Sequence, residues 1–276
     1  DGLDEPMPVK PGQHYQMGGV ECNENGQTCI DGLYAAGETA CVSLHGANRL
    51  GGNALPELLV FGARAGSHAA GADMKEAEIQ TGPSAKSEGG DLGADVEIGA
   101  LEAGADETVA ADGAAVEPGQ VLSQAVERER ERVETLLEED GINHAHVRDD
   151  IQETMTENVN VFRREENLIE ALEDIRAARE RYQHVSASDP SRTYNTDLLH
   201  TMETRNIIDI AEAITAGALA RDEFRGAHWR EQHQYRDDEN WLKHTLLAWN
   251  DGSPELYYKP VELEAEKEYE PKERSY

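Results

Sequence analysis

In the second half of the chain, apolar residues recur three and four positions apart over four stretches. Val121, Leu122, Ala125, Val126, Val133, Leu136 and Leu137 set the first; Val147, Ile151, Met155 and Val159 set the second. Leu168, Ile169, Leu172, Ile175 and Ala178 set the third, and the fourth runs through Leu198, Leu199, Met202, Ile207, Ile208, Ala211, Ile214 and Leu219. That period lines one face of an α-helix. It predicts a helix across Val121–Leu137 and further helices over about 145–158, 165–184 and 195–222, with Arg and Glu between the apolar positions as solvated faces. Short connections favour antiparallel neighbours. His144, His146 and His184 fall among these helices and are expected at the surface.

The first seventy residues carry a different pattern. Gly32-Leu33-Tyr34-Ala35-Ala36-Gly37-Glu38 reads as a short apolar strand with an acidic tip. A Gly51-Gly52-Asn53 turn then opens a helix from Ala54 to Ala70. Pro56 is tolerated in its first turn. Leu58, Leu59, Val60 and Phe61 are expected to be buried, and Gly62, Ala65 and Gly66 allow close packing. Strand, turn and helix in direct succession make one β-to-α unit. Residues 71–118 are rich in Gly, Ala, Asp, Glu and Ser, a composition that cannot offset ordering entropy, and are expected to be an acidic, disordered insertion. Residues 223–276 read as an irregular segment around Arg225 and His228, a small hairpin from Leu246–Trp249 and Glu255–Tyr258, and a charged tail from about Val261. The organisation expected is therefore four regions, 1–70, 71–118, 119–222 and 223–276, of α/β plus α class.

Charge changes this picture. With 56 acidic and 25 basic side chains the formal net charge is −31 at pH 7, whereas a magnitude of about 2–8 serves the solubility of an ordinary small domain. Such a surface argues against direct binding of nucleic acid or anionic lipid. Residues 71–120 hold twelve acids against Lys75 and Lys86, and the remaining excess is spread through the segments predicted to fold. A distributed acidic surface suits a protein working in molar salt, where the Debye length falls to about 3 Å at 1 M. The melting temperature is therefore expected to rise from low to molar KCl, and a flat profile in a thermal scan would count against a halophilic protein.

Cys22, Cys29 and Cys41 have no metal-ligand spacing and are expected to be reduced thiols, with no metal or iron–sulfur cluster on this chain. No stretch approaches the ~20 apolar residues of a membrane span.

Against that acidic background, Arg49 lies between His45-Gly46-Ala47-Asn48 and the Gly51-Gly52-Asn53 turn. A guanidinium fork can grip a carboxylate bidentately, and the helix opening near Asn53 aims free N–H groups and a positive dipole end at an anion. Glu38 can accept hydrogen bonds from hydroxyls. His14 can donate one whether neutral or charged.

Several segments, in this order, resemble the flavoprotein subunits of succinate dehydrogenase and fumarate reductase. They are His14-Tyr15-Gln16-Met17-Gly18-Gly19, Gly32 to Glu38, Cys41 to Asn53, Asn195-Thr196-Asp197-Leu198-Leu199, Arg225-Gly226-Ala227-His228 and Arg236-Asp237-Asp238-Glu239-Asn240-Trp241. The resemblance implies the C-terminal part of an FAD-binding α/β domain, followed by an antiparallel helical domain and an irregular C-terminal α+β segment. It implies that His14 and Arg49 bind a dicarboxylate, succinate or fumarate, and that Glu38 contacts FAD. The residues after Gly-Gly-Asn also touch the flavin in that family; here they are Ala54 and Leu55, where the family commonly has Ser-Leu. It further implies hydride transfer between substrate and FAD, an iron–sulfur subunit to take the electrons, membrane anchor subunits, and a cytoplasmic place on the inner face of the cell membrane. The family's flavin-attached histidine, proton-shuttling arginine and Gly-x-Gly-x-x-Gly turn all precede the segment matching Asp1. No catalytic residue is thus expected in this chain, which should be silent alone. An L-aspartate oxidase shares His-Gly-Ala-Asn-Arg but departs after it, whereas Leu50-Gly51-Gly52-Asn53 keeps the dehydrogenase form. A non-catalytic helical module spanning 119–222 is the alternative from another class.

Overall fold

A computed structural model describes residues 14–71, 118–138, 140–250 and 253–263. Of the expected insertion at 71–118, Gly71 and Pro118 are the ends of helices; residues 72–117 and most of the charged tail lie outside the described residues. The chain divides into two units with mixed α/β structure, and the division interleaves in sequence. One unit contains Asp1–Gln80, Asn160–Arg163 and Glu223–Tyr235; the other contains Thr81–Val159, Arg164–Asp222 and Arg236–Tyr276. The stretch 223–276, expected as one C-terminal segment, is thus shared between them.

In the first unit, β1 (Val20–Glu21) pairs in parallel with β2 (Ala40–Cys41). Gly19, just before β1, sits at φ +137°, and a Cβ there would lie 2.4 Å from the Thr39 carbonyl oxygen. Only glycine allows that approach. The strand expected at 32–38 is not formed: Tyr34 makes a single antiparallel bridge to Gln27. The Asp31-Gly32 turn and the left-handed Gly37 (φ +81°) close in on it from both ends. Helix α1 (Ala54–Gly71) follows. Its inward positions are Glu57, Phe61, Ala65 and His68, spaced at four, four and three, and the Tyr34 hydroxyl meets His68 Nδ1 at 2.9 Å. The expected burial of Leu58, Leu59 and Val60 is corrected: they are 44 %, 75 % and 51 % exposed, because the helix turns its Glu57–Ala65 stripe to the unit instead.

The second unit is mainly helical. It contains α2 (Pro118–Glu138), β3 (Ile142–Asn143), α3 (His144–Asn158), α4 (Glu165–Tyr182), β4 (Val185–Ser186) and α5 (Thr196–Ala220). The short helix α6 (Asp238–Trp241) and a hairpin of β5 (Lys243–Asn250) and β6 (Ser253–Pro260) complete it. Asn143 and Asn195 cap α3 and α5, accepting from the Ala145 and Leu198 N–H groups at 2.8 Å each, which satisfies donors that a helix start leaves open. Val147 and Ile151 of α3, Ile175 and Ala178 of α4, Val185 of β4 and Ile208 and Ala211 of α5 form one buried cluster. Val159, Leu168, Ala171 and Ala218 form a second. The hairpin is antiparallel, with Leu247 opposite Leu256. Arg221 ties it to the end of α5, donating to the Trp241 carbonyl at 3.0 Å and to Thr245 Oγ1 at 3.3 Å.

Two polar features depart from the periodic pattern. His144 is buried rather than at the surface, with Nε2 3.3 Å from Asp197 Oδ1. On α5, Thr201, Thr204 and Thr215 are fully buried because each hydroxyl donates to the carbonyl four residues back, at 2.8 Å. Beside them Glu212 is buried between Arg176 Nε at 3.2 Å and Arg179 Nη2 at 2.8 Å, so its charge is paired.

Candidate functional site

The residues singled out from the sequence lie in the first unit: His14 on the segment entering β1, Glu38 just before β2, Arg49 on the loop before α1, and Ala54 and Leu55 on the first turn of α1. Arg49 is half-buried, its guanidinium carbon 4.5 Å from the centroid of the Tyr15 ring, and its Nη1 donates to the Leu50 carbonyl at 3.2 Å. Its Nε is buried without a hydrogen-bond partner, and among the described residues no carboxylate pairs with it. A cation held by an aromatic face keeps its charge, whereas an ion pair would neutralise it.

Glu38 is exposed, and its Oε1 accepts the Gln16 N–H at 2.8 Å, which fixes the 14–17 segment beside the Glu38 tip. His14 lies at the start of that segment and is exposed. Ala54 opens α1, and Leu55 is 70 % exposed on its first turn. The first bond of the helix runs from Glu57 N–H to the Asn53 carbonyl at 3.2 Å. The Ala54 and Leu55 N–H groups precede that bond, and Pro56 has none.

Three side chains without a role assigned from the motifs complete the cluster. Glu57, 2 % exposed, accepts the Tyr15 hydroxyl at 2.5 Å and meets His45 Nε2 at 2.7 Å, both through Oε2. The Tyr15 and His45 rings stand edge to face, with centroids 5.4 Å apart and planes at 89°. Burial, with the Glu57 hydrogen bond and charge adding to it, pushes the Tyr15 hydroxyl up to about 12. The only sequence signal for this trio was an acid, Glu57, standing inside the apolar run Leu55 to Phe61.

The Glu223–Tyr235 segment backs the same loop. The Ala227 N–H donates to the Ala47 carbonyl at 3.0 Å. Gly226 sits at φ +60°, where a Cβ would come within 2.6 Å of that carbonyl oxygen. His228 Nδ1 lies 2.9 Å from Arg163 Nη1, and burial lowers the pKa of Arg163. Among the described residues no His, Cys, Asp or Glu group is arranged to hold a metal ion, the three cysteines are free thiols, and no helix is long and apolar enough to cross a membrane.

Comparison with known proteins agrees with the motifs. Residues 148–276 match the family described as fumarate reductase flavoprotein C-term, and residues 1–55 match the FAD binding domain family. The fumarate reductase flavoprotein subunit of Mycobacterium tuberculosis is 39 % identical over 264 residues, covering 95 % of this chain and 40 % of that protein. The succinate dehydrogenase flavoprotein subunit of Coxiella burnetii is 34 % identical over 269 residues, covering 94 % of this chain and 39 % of that one. A mutated Escherichia coli quinol fumarate reductase chain superposes with a TM-score of 0.73 at 34 % identity, covering 95 % of this chain and 39 % of that chain. The chain thus spans about two fifths of the length of the curated relatives it matches. Motif order, family models and fold agree: over nearly its whole length this chain is similar to the flavoprotein subunits of fumarate reductase and succinate dehydrogenase.

Proposed function

We propose that this chain is the C-terminal part of the flavoprotein subunit of a fumarate reductase or succinate dehydrogenase, and that it forms one wall of an FAD- and dicarboxylate-binding site. The observation that carries this reading is Arg49. Within a chain of net charge −31, its guanidinium lies over an aromatic face with no carboxylate partner among the described residues. That is an arrangement for an external anion.

His14 and Arg49 would hold the two carboxylates of succinate or fumarate. The residues present fit the flavin as well. Glu38 has a second carboxylate oxygen to offer a ribityl or ribose hydroxyl, and the Ala54 and Leu55 N–H groups at the start of α1 can face an anionic group. Ala54 lacks the hydroxyl common at that place in the family, so its contact would be through the backbone. FAD, when bound, supplies the hydride acceptor and donor; this chain's part is to place and polarise the substrate. Electrons would leave through an iron–sulfur subunit, with membrane anchor subunits holding the assembly at the inner face of the cell membrane. In finer detail we read residues 1–70 as the end of the FAD-binding α/β domain and 119–222 as an antiparallel helical domain.

The test compares two preparations. The whole flavoprotein is expected to reduce a dye with succinate, whereas the purified 276-residue chain is expected to give no succinate-dependent reduction, because the facing wall lies on the part of the relatives that it does not span. Reduction by the 276-residue chain alone would overturn the half-site reading. A whole flavoprotein inert towards succinate and fumarate would overturn the activity.

A further inference from the structure

We propose that Glu57 is a positioning residue for Arg49, acting through Tyr15 and His45. The inference rests on the reading of Arg49 as a dicarboxylate ligand. A carboxylate buried to this degree is costly unless donors satisfy it, and here the donors are two rings brought to one oxygen, at 2.5 Å for the Tyr15 hydroxyl and 2.7 Å for His45 Nε2. The two rings also brace each other edge to face. Tyr15 is therefore fixed at its tip by Glu57 and at its flank by His45, which leaves a ring face as the seat for the Arg49 guanidinium.

The same bond anchors the loop. His45 stands four residues before Arg49, so its tie to Glu57 clamps the arginine's own loop to the first turn of α1. The indirect route has a physical reason. A carboxylate placed directly against Arg49 would orient it but cancel its charge, whereas a phenol face orients a cation and leaves the charge available. Burial and the Glu57 contact push the Tyr15 hydroxyl up to about 12, so it keeps its proton and remains a donor to Glu57 through the neutral range.

The experiment uses the whole flavoprotein carrying this segment, with malonate as an unreactive dicarboxylate titrated against the flavin absorbance. FAD content, melting temperature and the kcat and KM for succinate are followed beside it. Tyr15→Leu, which removes the seat, is expected to raise the malonate Kd about tenfold, in keeping with the strength of a partly desolvated cation–π contact. Tyr15→Phe keeps the ring and loses only the tie to Glu57. It and Glu57→Gln are each expected to raise the malonate Kd and the succinate KM together by about three- to tenfold, with FAD content and melting unchanged. A merely structural role would move melting and not the Kd.

If Tyr15→Leu, Tyr15→Phe and Glu57→Gln bind malonate within about twofold of the parent while Arg49→Ala loses it, the positioning role is overturned and the Arg49 site stands. If Arg49→Ala binds as the parent does, the underlying site is overturned and the inference with it. Should Glu57→Gln not fold, Tyr15→Phe decides the question, because it alters a single hydroxyl.

Discussion

Replacing Arg49 by alanine is expected to weaken malonate binding to the whole flavoprotein about 100- to 1,000-fold, and to lower kcat/KM for succinate at least as far. That is the scale seen when a preorganised donor to a charged oxygen is removed from a water-poor site. The local geometry supports so large an effect. The guanidinium is half-buried, its Nε is already withdrawn from water, and its position over Tyr15 is fixed before any ligand arrives. Little ordering cost is then charged against the bond to the anion. Arg49→Lys separates charge from shape. Lysine retains the positive charge but cannot present two parallel N–H groups to one carboxylate, so it should recover only part of the loss. Malonate affinity in Arg49→Ala within about threefold of the parent would sink the assignment.

Arg49 was legible in the sequence because its signal is local. An arginine between a polar run and a Gly-Gly-Asn turn needs no long-range contact to be noticed. The helices were legible for a similar reason. Leu168, Leu172, Ile175 and Ala178 repeat at helical spacing and are all buried on α4. Residues whose meaning depends on distant partners were not legible. Glu57 in the first turn of an apolar helix reads as a carboxylate favoured by the macrodipole, and only its meeting with Tyr15, 42 positions away, turns it into a buried anchor. Glu212, Thr201, Thr204 and Thr215 break the apolar stripe of α5, yet they are buried because arginines from α4 and the helix's own carbonyls satisfy them. Pattern alone counts such residues as outward-facing. The apolar run Leu58 to Val60 fails in the opposite sense: periodicity cannot say which face of α1 its unit offers to cover. The grouping of Asn160–Arg163 and Glu223–Tyr235 with the first unit has no local signal. It depends on bonds such as Ala227 N–H to the Ala47 carbonyl, 180 positions apart in the chain.

The helical unit offers the second large effect, and one that the 276-residue chain itself can report. Ile175 is fully buried at the centre of the cluster formed by α3, α4, β4 and α5, against Val147, Ile151, Ala178, Val185, Ile208 and Ala211. Truncating it to alanine removes three carbons from a site with neighbours on every side, which leaves a cavity that the surrounding helices can close only in part. The expected loss is about 2–5 kcal/mol, a large share of the roughly 5–15 kcal/mol that holds a domain folded. In urea this should appear as a lower midpoint with an unchanged m-value. Ile169→Ala on the same helix provides the control: its side chain is 44 % exposed, so the change should stay within about 0.5–1 kcal/mol. The comparison holds residue type, helix and solvent constant and varies only burial. Equal midpoints for the two variants would mean that the face of α4 carrying Ile175 is not the one that holds the unit together.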